Sequence, residues 1–431
     1  MKRSPLLQSW GRFPRIENQK VQTPYWASDI ALHPAPVIAR GQGRSYGDLC
    51  LNDGGLLIHT DHLNRVISFD SERGLLTAEA GMTLDAVLKL IVPRGFFLPV
   101  TPGTKFVSLG GAIANDIHGK NHHGAGTFGR SVKRFSLLRS TGEVLECSPD
   151  ENPEYFAATI AGLGLTGLIL NATISLLPIQ SAFIDQRVEK FDSLAEFFSL
   201  SKDETATYSV AWLDCLTEND GIGRGHFITG EHAGVGALTT HRDPILSCPL
   251  DAPGWVLQRT GIQIFNTLYF HRLRHKITSN RIHYDPFFYP LDGVKDWNRI
   301  YGKNGFLQFQ CVLPPAAQEE GLQRILKEAK KRGSASFLAV LKEFGSLPSP
   351  GLLSFPRPGP TLALDFPYRG KETVELFQIL ERITVDYGGA LYPAKDALMS
   401  RESFHRMYPQ LERFMPYVDP AFSSSFSRRV L

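Results

Sequence analysis

Disulfide pairing and zinc binding have little support in this chain, because cysteine is scarce and scattered. The 431 residues include five cysteines and no CxxC pair: Cys50, Cys147, Cys215, Cys248 and Cys311. An odd and dispersed set argues against a disulfide framework or a zinc site, and it is typical of a reducing compartment. The chain also lacks any run of about 18 uninterrupted apolar residues, so the sequence predicts no transmembrane helix.

An excess of charge of either sign is missing as well. Lysine and arginine number 46 and aspartate and glutamate 43, and a net charge of +3 gives no indication of nucleic-acid binding. Residues Met1–Gly11 carry two basic side chains but no apolar stretch of signal-peptide length. We therefore expect a soluble cytoplasmic protein, at most peripheral at the inner membrane, and the length predicts two domains.

Glycine, by contrast, is abundant and concentrated. Many of the 39 glycines lie in two runs, Arg40–Asp48 and Thr101–Gly129. The first run follows an apolar strand, Val37–Ala39, and its glycines allow successive backbone N–H groups to converge on phosphate oxygens. Alone, this run is equally consistent with a glycine-rich hairpin. Two separated glycine loops in one domain, however, suit a long ligand with a central pyrophosphate, such as FAD.

A third glycine segment, Gly162–Gly167, matches the dinucleotide fingerprint GxGxxG letter by letter. That fingerprint needs a strand before it and a helix after it, so that the helix N-terminus faces the pyrophosphate. Here the order is reversed, because a predicted helix at Glu154–Ala161 precedes the segment and a predicted strand at Leu168–Leu176 follows it. We interpret the segment as a tight helix-to-strand turn and exclude a Rossmann domain.

Beyond residue 180 the pattern changes to alternating strands and longer helices. The strand candidates are Gly305–Val312, Ser336–Leu341 and Thr361–Phe366, and the helix candidates are 318–332 and 372–387. On the first strand Gln308 and Gln310 share one face and Phe309 lies on the other, as the period of two requires. The later strands repeat this alternation, which predicts one polar and one apolar sheet face. The polar face suits a sugar, although a merely solvated face has the same pattern.

The glycine runs also carry a family resemblance. GQGRSYGD at 41–48, PGT at 102–104 and SLGGAIANDIHGKNHHGAGTFG at 108–129 resemble the FAD domain of the vanillyl-alcohol-oxidase/PCMH superfamily. Together with WNR at 297–299, LALDFP at 362–367 and YPAKD at 392–396, they resemble the decaprenylphosphoryl-β-D-ribose 2′-oxidase family. The resemblance spans nearly the whole chain and is weakest around residues 220–285.

The resemblance implies an α+β fold of two domains. An FAD-binding domain of two α+β subdomains would occupy residues 1–180 and be completed by 390–431. A substrate domain, with an antiparallel sheet flanked by helices, would occupy 181–389. The cofactor implied is FAD, held non-covalently, and the residues implied to contact it are Ala39, Arg40, Gly41, Gln42, Gly43, Arg44, Ser45, Tyr46, Gly47, Asp48, Leu49, Gly103, Ser108, Leu109, Gly110, Gly111, Asn115, Asp116, Ile117, His118, Ile169 and Tyr392.

The activity implied is oxidation of the 2′-hydroxyl of a polyprenylphosphoryl ribose, followed by a partner reductase. Such a reaction needs a hydride acceptor and a group for the hydroxyl proton. The catalytic candidates are Lys395, Gln308, Gln310, His118, Lys120 and Tyr46, among which the sequence does not choose. The substrate-contact candidates are Trp212, Phe288, Tyr289, Leu291, Leu338, Val340, Lys342, Ala363 and Asp365. Two alternatives stay open: an aldonolactone or other soluble-sugar oxidase, and a non-catalytic flavoprotein scaffold.

Two positions depart from the family pattern. Ala363 stands where members of the family carry a cysteine beside the flavin, so thiol-dependent behaviour is not expected here. Phe288 stands where a tyrosine lines the family's site, and the adjacent Tyr289 is a candidate substitute. His122 and His123 resemble a metal pair, but no suitably spaced ligand accompanies them, so we predict loop packing and no metal site.

Residues 251–281 combine apolar and basic side chains. The apolar set is Trp255, Val256, Leu257, Ile262, Ile264, Phe265, Leu268, Tyr269 and Phe270, and the basic set is Arg259, His271, Arg272, Arg274, His275, Lys276 and Arg281. This mixture predicts a mobile flap that docks on an anionic membrane surface and admits a lipid substrate. A well-packed helix with a solvated basic end fits the same residues equally well.

Overall fold

The computed structural model describes residues 7–31, 36–216, 223–253, 257–332, 336 and 338–431. Trp255 and Val256, from the apolar set of residues 251–281, lie outside these ranges. So does Phe337, within the predicted strand Ser336–Leu341. Three main sheets organise the described chain, and each has its own sequence pattern.

The first sheet is small and parallel. Its strands are β1 (Lys20–Gln22), β2 (Val37–Arg40) and β3 (Leu56–His59), in the order β1–β3–β2. The C-terminal segment joins this unit, because Val37 N donates to Ala421 O at 2.8 Å and Arg429 pairs with Asp48 at 2.8 Å. The glycine loop 41–48 therefore begins at the end of a buried parallel strand.

The second unit contains seven strands and four helices. The strands are β4 (Val66–Asp70), β5 (Leu75–Glu79), β6 (Phe96–Phe97), β7 (Val132–Leu138), β8 (Val144–Cys147), β9 (Leu168–Ser175) and β10 (Leu177–Pro178). The helices are α1 (Leu84–Ile91), α2 (Leu109–Ala114), α3 (His122–Ala125) and α4 (Pro153–Thr159). Five strands form an antiparallel sheet in the order β4–β5–β9–β7–β8, and β6 pairs with β10.

Helix α1 shows why the sequence folds locally as it does. The Thr83 side chain accepts a hydrogen bond from Ala86 N at 3.2 Å and caps the first turn. Leu84, Val87 and Leu88 recur at helical spacing and are buried in the core of this unit. Capping and hydrophobic periodicity therefore both favour a helix at this position.

The third unit is built on an antiparallel sheet of eight strands. Its strands in chain order are β11 (Phe183–Phe191), β12 (Tyr208–Leu213), β13 (Gly225–His232), β15 (Ile277–His283), β17 (Phe306–Val312), β18 (Ala339–Phe344), β19 (Gly359–Pro367) and β20 (Ala390–Leu391), while β14 (Leu246–Ser247) and β16 (Val294–Lys295) pair separately. The spatial order is β15–β11–β13–β12–β18–β19–β17–β20. The accompanying helices are α5 (Leu194–Lys202), α6 (Arg259–His271), α7 (Tyr284–Phe288), α8 (Gln318–Lys331) and α9 (Lys371–Asp386).

The predicted alternation of the third sheet is confirmed. Phe309, Leu341 and Leu362 lie on one face and share a buried cluster with apolar side chains of α8 and α9. The opposite face of β17, β18 and β19 carries the polar residues. The register fixes this, because Gln308 pairs with Asp365 and Gln310 with Ala363. Burying the apolar face under two helices leaves the polar face for a ligand.

The chain ends in three short helices, α10 (Arg401–Met407), α11 (Leu411–Phe414) and α12 (Ser425–Val430). Helix α10 packs against α9, and α12 joins the first unit, where Ser425 N donates to Leu51 O at 2.9 Å. The predicted α+β class, with an antiparallel sheet flanked by helices, is confirmed. The domain boundaries 180 and 390 stay a prediction. Strand β20 pairs with β17 in the third sheet, so the first residues after 390 contact the predicted substrate domain.

The described residues of 251–281 include two different elements. Helix α6 covers Arg259–His271, whereas β15 begins at Ile277 and pairs with β11 over seven positions. A ladder of backbone hydrogen bonds fixes a strand within its sheet. The prediction of a flap is therefore wrong for 277–281, which form the edge of the eight-stranded sheet.

Candidate active site

A large cleft lies between the glycine loops and the polar face of the third sheet. It encloses about 1880 Å³ of space, part of it open to solvent. The predicted cofactor residues that line it are Ala39, Arg40, Gly41, Gln42, Gly43, Arg44, Ser45, Tyr46, Leu49, Gly103, Ser108, Gly110, Gly111, Asn115, Ile117, His118, Ile169 and Tyr392. The predicted reaction and substrate residues that line it are Tyr46, His118, Gln308, Gln310, Lys395, Leu291, Val340, Lys342 and Ala363.

The first glycine loop presents bare backbone to this cleft. Gly43 has a φ of +61°, and a Cβ there would meet the guanidinium of Arg40. A Cβ at Gly41 would meet Ser108 Oγ, so the two predicted loops approach each other at this point. Backbone N–H groups of 42–45 have no acceptor within the described residues. Four consecutive unpaired N–H groups form an anion-binding nest, which fits a pyrophosphate.

The GxGxxG segment proves to be both a turn and a wall of the cleft. It connects α4 to β9, so its interpretation as a helix-to-strand turn is confirmed. Leu163 and Gly164 take left-handed φ values of +57° and +77°, and both line the cleft together with Gly167. Sequence reasoning missed this second role, because the reversed order of helix and strand excludes only the Rossmann arrangement.

Four of the predicted cofactor residues lie behind the loops rather than in the cleft. Asp48 pairs with Arg429 at 2.8 Å, and Asp116 accepts the backbone N–H of the second loop's last glycine at 2.8 Å. Leu109 is fully buried in the core of the second unit, and Gly47 leaves no room for a Cβ against the backbone near the chain's YPAKD segment. The side chains of Asp48, Leu109 and Asp116 therefore support the loops from behind, and the lack of a side chain at Gly47 permits close backbone packing.

Lys395 projects into the cleft from the turn that follows Tyr392. Its Nζ lies 3.6 Å from the centre of the Tyr46 ring and has no hydrogen-bond acceptor among the described residues. Burial lowers the pKa of Lys395, and the Asp365 carboxylate opposes this shift. Burial also raises the pKa of Tyr46 well above its usual range, so that side chain stays a neutral hydroxyl. The lysine donors therefore remain available to a ligand.

Asp365 lies just behind the cleft and does not line it. Its carboxylate accepts a hydrogen bond from Gln308 Nε2 and a longer one, at 3.4 Å, from Tyr301 Oη. Burial raises the pKa of Asp365, while the hydrogen bond from Gln308 and the charge of Lys395 lower it. The predicted substrate contact is thus placed where it orients the Gln308 amide and acts electrostatically on Lys395.

His118 and Gln310 form a second polar pair in the cleft. Gln310 Nε2 lies 3.0 Å from His118 Nε2 and 3.3 Å from Thr361 Oγ1. Burial, reinforced by the neighbouring Lys342, lowers the pKa of His118 well below its usual range. The imidazole is therefore neutral near pH 7, and its Nδ1 has no partner within the described chain. A neutral ring of this kind can either accept or donate one hydrogen bond.

Two further lysines add positive charge. Burial, together with repulsion from Lys120 and Lys395, lowers the pKa of Lys342 to about 7. Burial lowers the pKa of Lys120 to about 8; this side chain does not line the cleft, although its charge acts on Lys342. Clustered cations that share a buried space are stabilised by an anionic ligand, which removes their mutual repulsion.

The remaining predicted substrate contacts lie outside the cleft. Trp212 is covered by α6, with its ring centre 4.6 Å from that of Tyr269. Phe288 and Tyr289 are 1% exposed within an aromatic core that joins the second and third units. Leu338 also does not line the cleft. Phe288, which stands where the family has a tyrosine, and its candidate substitute Tyr289 therefore both lie behind the surface that a ligand would contact.

The histidine pair beside the second loop bonds to backbone groups. His122 Nδ1 accepts from Gly345 N at 3.2 Å, and His123 Nε2 lies 2.9 Å from Ala206 O. Among the described residues there is no group of three or more metal-ligand side chains. Both contacts fit the loop-packing interpretation.

Several cleft residues were missed by sequence reasoning. Trp10 lines the cleft, and nothing in residues 1–11 indicates this. Asp292 also lines it, next to the predicted Leu291, and Thr361 lies two positions before Ala363 on the same strand face. The period of two would have found Thr361, whereas Trp10 requires the tertiary structure.

Comparison with known proteins agrees with this geometry. Residues 28–148 match the FAD binding domain family. The decaprenylphosphoryl-β-D-ribose oxidase of Mycolicibacterium smegmatis is 38% identical over 91% of this chain and 89% of its own length. An uncharacterised protein of Streptomyces coelicolor is 33% identical over 81% of this chain, and mouse L-gulonolactone oxidase is 31% identical over 36%.

The fold, the backbone nest and the matched domain define an FAD-dependent oxidoreductase. Identity along nearly the full length of both chains goes further than this class. The chain belongs to the decaprenylphosphoryl-β-D-ribose oxidase family.

Proposed function

We propose that this protein oxidises the 2′-hydroxyl of a polyprenylphosphoryl-β-D-ribose to the 2′-keto sugar. The observation that carries the proposal is the cleft itself, where the pyrophosphate nest and the polar face of β17–β19 open into one space. The M. smegmatis relative is named for a lipid-linked ribose, which supports this class of substrate. FAD is the cofactor, and we propose that it is held non-covalently.

The reaction removes a hydride from the sugar carbon and a proton from its hydroxyl. FAD, when bound, supplies the hydride acceptor. Lys395 is our candidate for the proton acceptor. Its amine lines the cleft without a hydrogen-bond partner among the described residues, and burial increases the fraction of it that is neutral. Gln308, His118 and Gln310 surround the same space and are suited to hold the sugar hydroxyls in one orientation.

The phosphate end of the substrate has a matching charge. Lys342 lines the cleft, and the charge of Lys120 contributes to lowering the pKa of Lys342. A phosphodiester placed here would restore the charge that burial disfavours on both lysines. We therefore assign Lys342 to phosphate binding and keep Lys395 for the sugar.

The product chemistry also implies a partner. A 2′-keto sugar becomes the arabinose epimer only when a reductase delivers hydride to the opposite face. We propose that a reductase consumes the product, and that this enzyme performs the first half of the epimerisation.

A lipid-linked substrate requires access from a bilayer, and α6 offers a surface for it. Ile262 and Phe270 face the protein, whereas Ile264 and Leu268 are 57% and 68% exposed. Exposed bases follow the helix, with Arg274 among them. No described helix combines the length and hydropathy of a bilayer crossing. We propose that the outer face of α6 rests on an anionic bilayer as a peripheral contact.

Anaerobic titration of the flavin tests the substrate assignment. A short-chain polyprenylphosphoryl-β-D-ribose should bleach the flavin absorbance, while its 2′-deoxy analogue should bind without bleaching. A soluble-sugar oxidase is the second candidate, because mouse L-gulonolactone oxidase matches 36% of this chain. Bleaching by L-gulono-1,4-lactone but not by the lipid-linked ribose would overturn our assignment in favour of that candidate.

A further inference from the structure

Residues 8–13 form a strap that crosses from the flavin loop to the eight-stranded sheet. Trp10 N donates to Ser45 O at 2.9 Å, which ties the strap to the nest. Phe306 N donates to Gly11 O at 2.8 Å, which ties it to the first residue of β17. One short segment thus connects the backbone that faces the cofactor to the strand that carries Gln308 and Gln310.

Gly11 occupies the narrowest point of this crossing. A Cβ at this position would meet Tyr46 O on the flavin loop and Phe306 O on the sheet. Both obstacles are backbone atoms, so neither can move aside by a rotamer change. The spacing between the two walls of the cleft therefore depends on the absence of a side chain at Gly11.

The side chain of Trp10 forms part of the cleft wall. Arg44 Cζ lies 3.9 Å from the centre of the Trp10 ring, and the Trp297 ring lies 5.6 Å away at an angle of 67°. Trp10, Arg44 and Trp297 all line the cleft. A guanidinium over an indole face is held by the ring's electrostatic field. Trp10 consequently fixes the Arg44 side chain in the middle of the nest.

An outer contact anchors the strap independently of the cleft. Arg12 pairs with Asp251 at 2.7 Å, and both side chains are about one-fifth exposed. Partly exposed ion pairs of this kind contribute little to stability. The outer end of the strap is therefore held by a contact that adds little to its stability.

We propose that the strap is a positioning element of the active site, in which Gly11 sets the distance between the flavin loop and the sugar-binding face and Trp10 holds Arg44 against the cofactor. The role of Gly11 rests on the proposed function, because it concerns the sugar-binding face. The role of Trp10 concerns FAD binding and does not depend on the sugar. Neither residue takes part in the chemistry, so both act through the placement of other groups.

The test compares four variants with the native FAD-loaded protein. Trp10→Ala should weaken FAD binding about 3- to 30-fold, whereas Trp10→Phe keeps an aromatic face and should stay within about threefold. Gly11→Ala should lower the rate of flavin reduction per bound flavin about 10- to 100-fold, since small displacements of reacting groups have effects of this size. Gly234→Ala, where a Cβ meets nothing within 4 Å, should change neither quantity.

A merely structural strap gives a different pattern. It would lower the melting temperature of Gly11→Ala and Trp10→Ala while leaving FAD affinity and the rate per bound flavin unchanged, and this result would overturn the inference. FAD affinity is measured without any sugar. If the native protein is reduced by no lipid-linked ribose, the proposed function fails, and the Trp10 comparison still decides on the strap.

Discussion

The two walls of the cleft differ in the chemical groups that they offer to a ligand. On the flavin side the chemistry resides in backbone N–H groups of 42–45, exposed by glycines that follow a buried strand. On the sugar side it resides in side chains drawn from β17, β18, β19 and the turn at Lys395. A backbone wall depends on which residues lack a side chain. A side-chain wall depends on strand register and on burial, which alters the pKa of its lysines.

Substitutions in the two walls should therefore have different effects on the enzyme. Damage to the backbone wall should remove the cofactor and leave any remaining loaded protein competent. Damage to the side-chain wall should leave the cofactor bound and remove the reaction.

The largest effect is expected at the side-chain wall. Lys395→Ala should retain FAD and lower the rate of substrate-dependent flavin reduction about 10²- to 10⁴-fold, the usual contribution of general acid–base catalysis. Stopped-flow reduction of the loaded enzyme measures it, with FAD content as the internal control. A decrease smaller than threefold would mean that Lys395 only closes the cleft and that another group accepts the proton.

At the backbone wall, Gly43→Val should weaken FAD binding roughly 100-fold. A β-branched residue is strained at a φ of +61°, and its Cβ would displace the Arg40 guanidinium that supports the loop. Fluorescence titration with FAD gives the affinity, and Gly124→Ala, where a Cβ meets nothing within 4 Å, is the control. Normal FAD affinity in Gly43→Val would contradict this prediction, because it would mean that the nest does not depend on a residue without a side chain.

The sequence predicted some parts of the two walls and not others, depending on how far apart in the chain the contacting residues lie. The loop 41–48 was predictable because the glycines that expose its backbone are read directly from the sequence. Gln308 and Gln310 were found by the period of two. Trp10 was not, because its place in the cleft comes from hydrogen bonds to Ser45 and Asn298, which are distant in sequence. Likewise, only the register shows that Asp365 lies behind Gln308.

A pH profile tests the electrostatic part of the side-chain wall. The Asp365 carboxylate raises the pKa of Lys395 against the lowering effect of burial, so Asp365→Asn should lower that pKa further. If the neutral amine accepts the proton, the acidic limb of the reduction rate should move to lower pH. Lys342 faces the same space, and its own pKa is lowered by burial and by the charges of Lys120 and Lys395, whereas Tyr46 stays neutral below its raised pKa. Asp365→Glu, which keeps the charge, is the control; an acidic limb that moves to higher pH would contradict the assignment.

The smallest effect is expected at the proposed membrane contact, which neither wall of the cleft requires. Ile264 and Leu268 lie four residues apart on one exposed face of α6, beside the basic residues that follow the helix. Changing both to glutamine should lower binding to anionic liposomes about tenfold, because partial burial of two aliphatic side chains in the bilayer is lost. Arg274→Gln should lower it about fivefold at low salt and less in high salt, where screening weakens the attraction.

The matched control for the membrane contact is Ile67→Gln, since Ile67 is 54% exposed on β4 in the predicted flavin domain. Sedimentation with vesicles rich in phosphatidylglycerol measures the bound fraction. Flavin reduction by a short-chain, water-soluble substrate should be unchanged in all of these variants, because α6 contributes no side chain to the cleft lining. If the native chain stays in the supernatant at low salt, or if Ile67→Gln lowers binding as much as the α6 variants, then α6 is not the contact. The lipid would in that case have to reach Lys395 from another side of the cleft mouth.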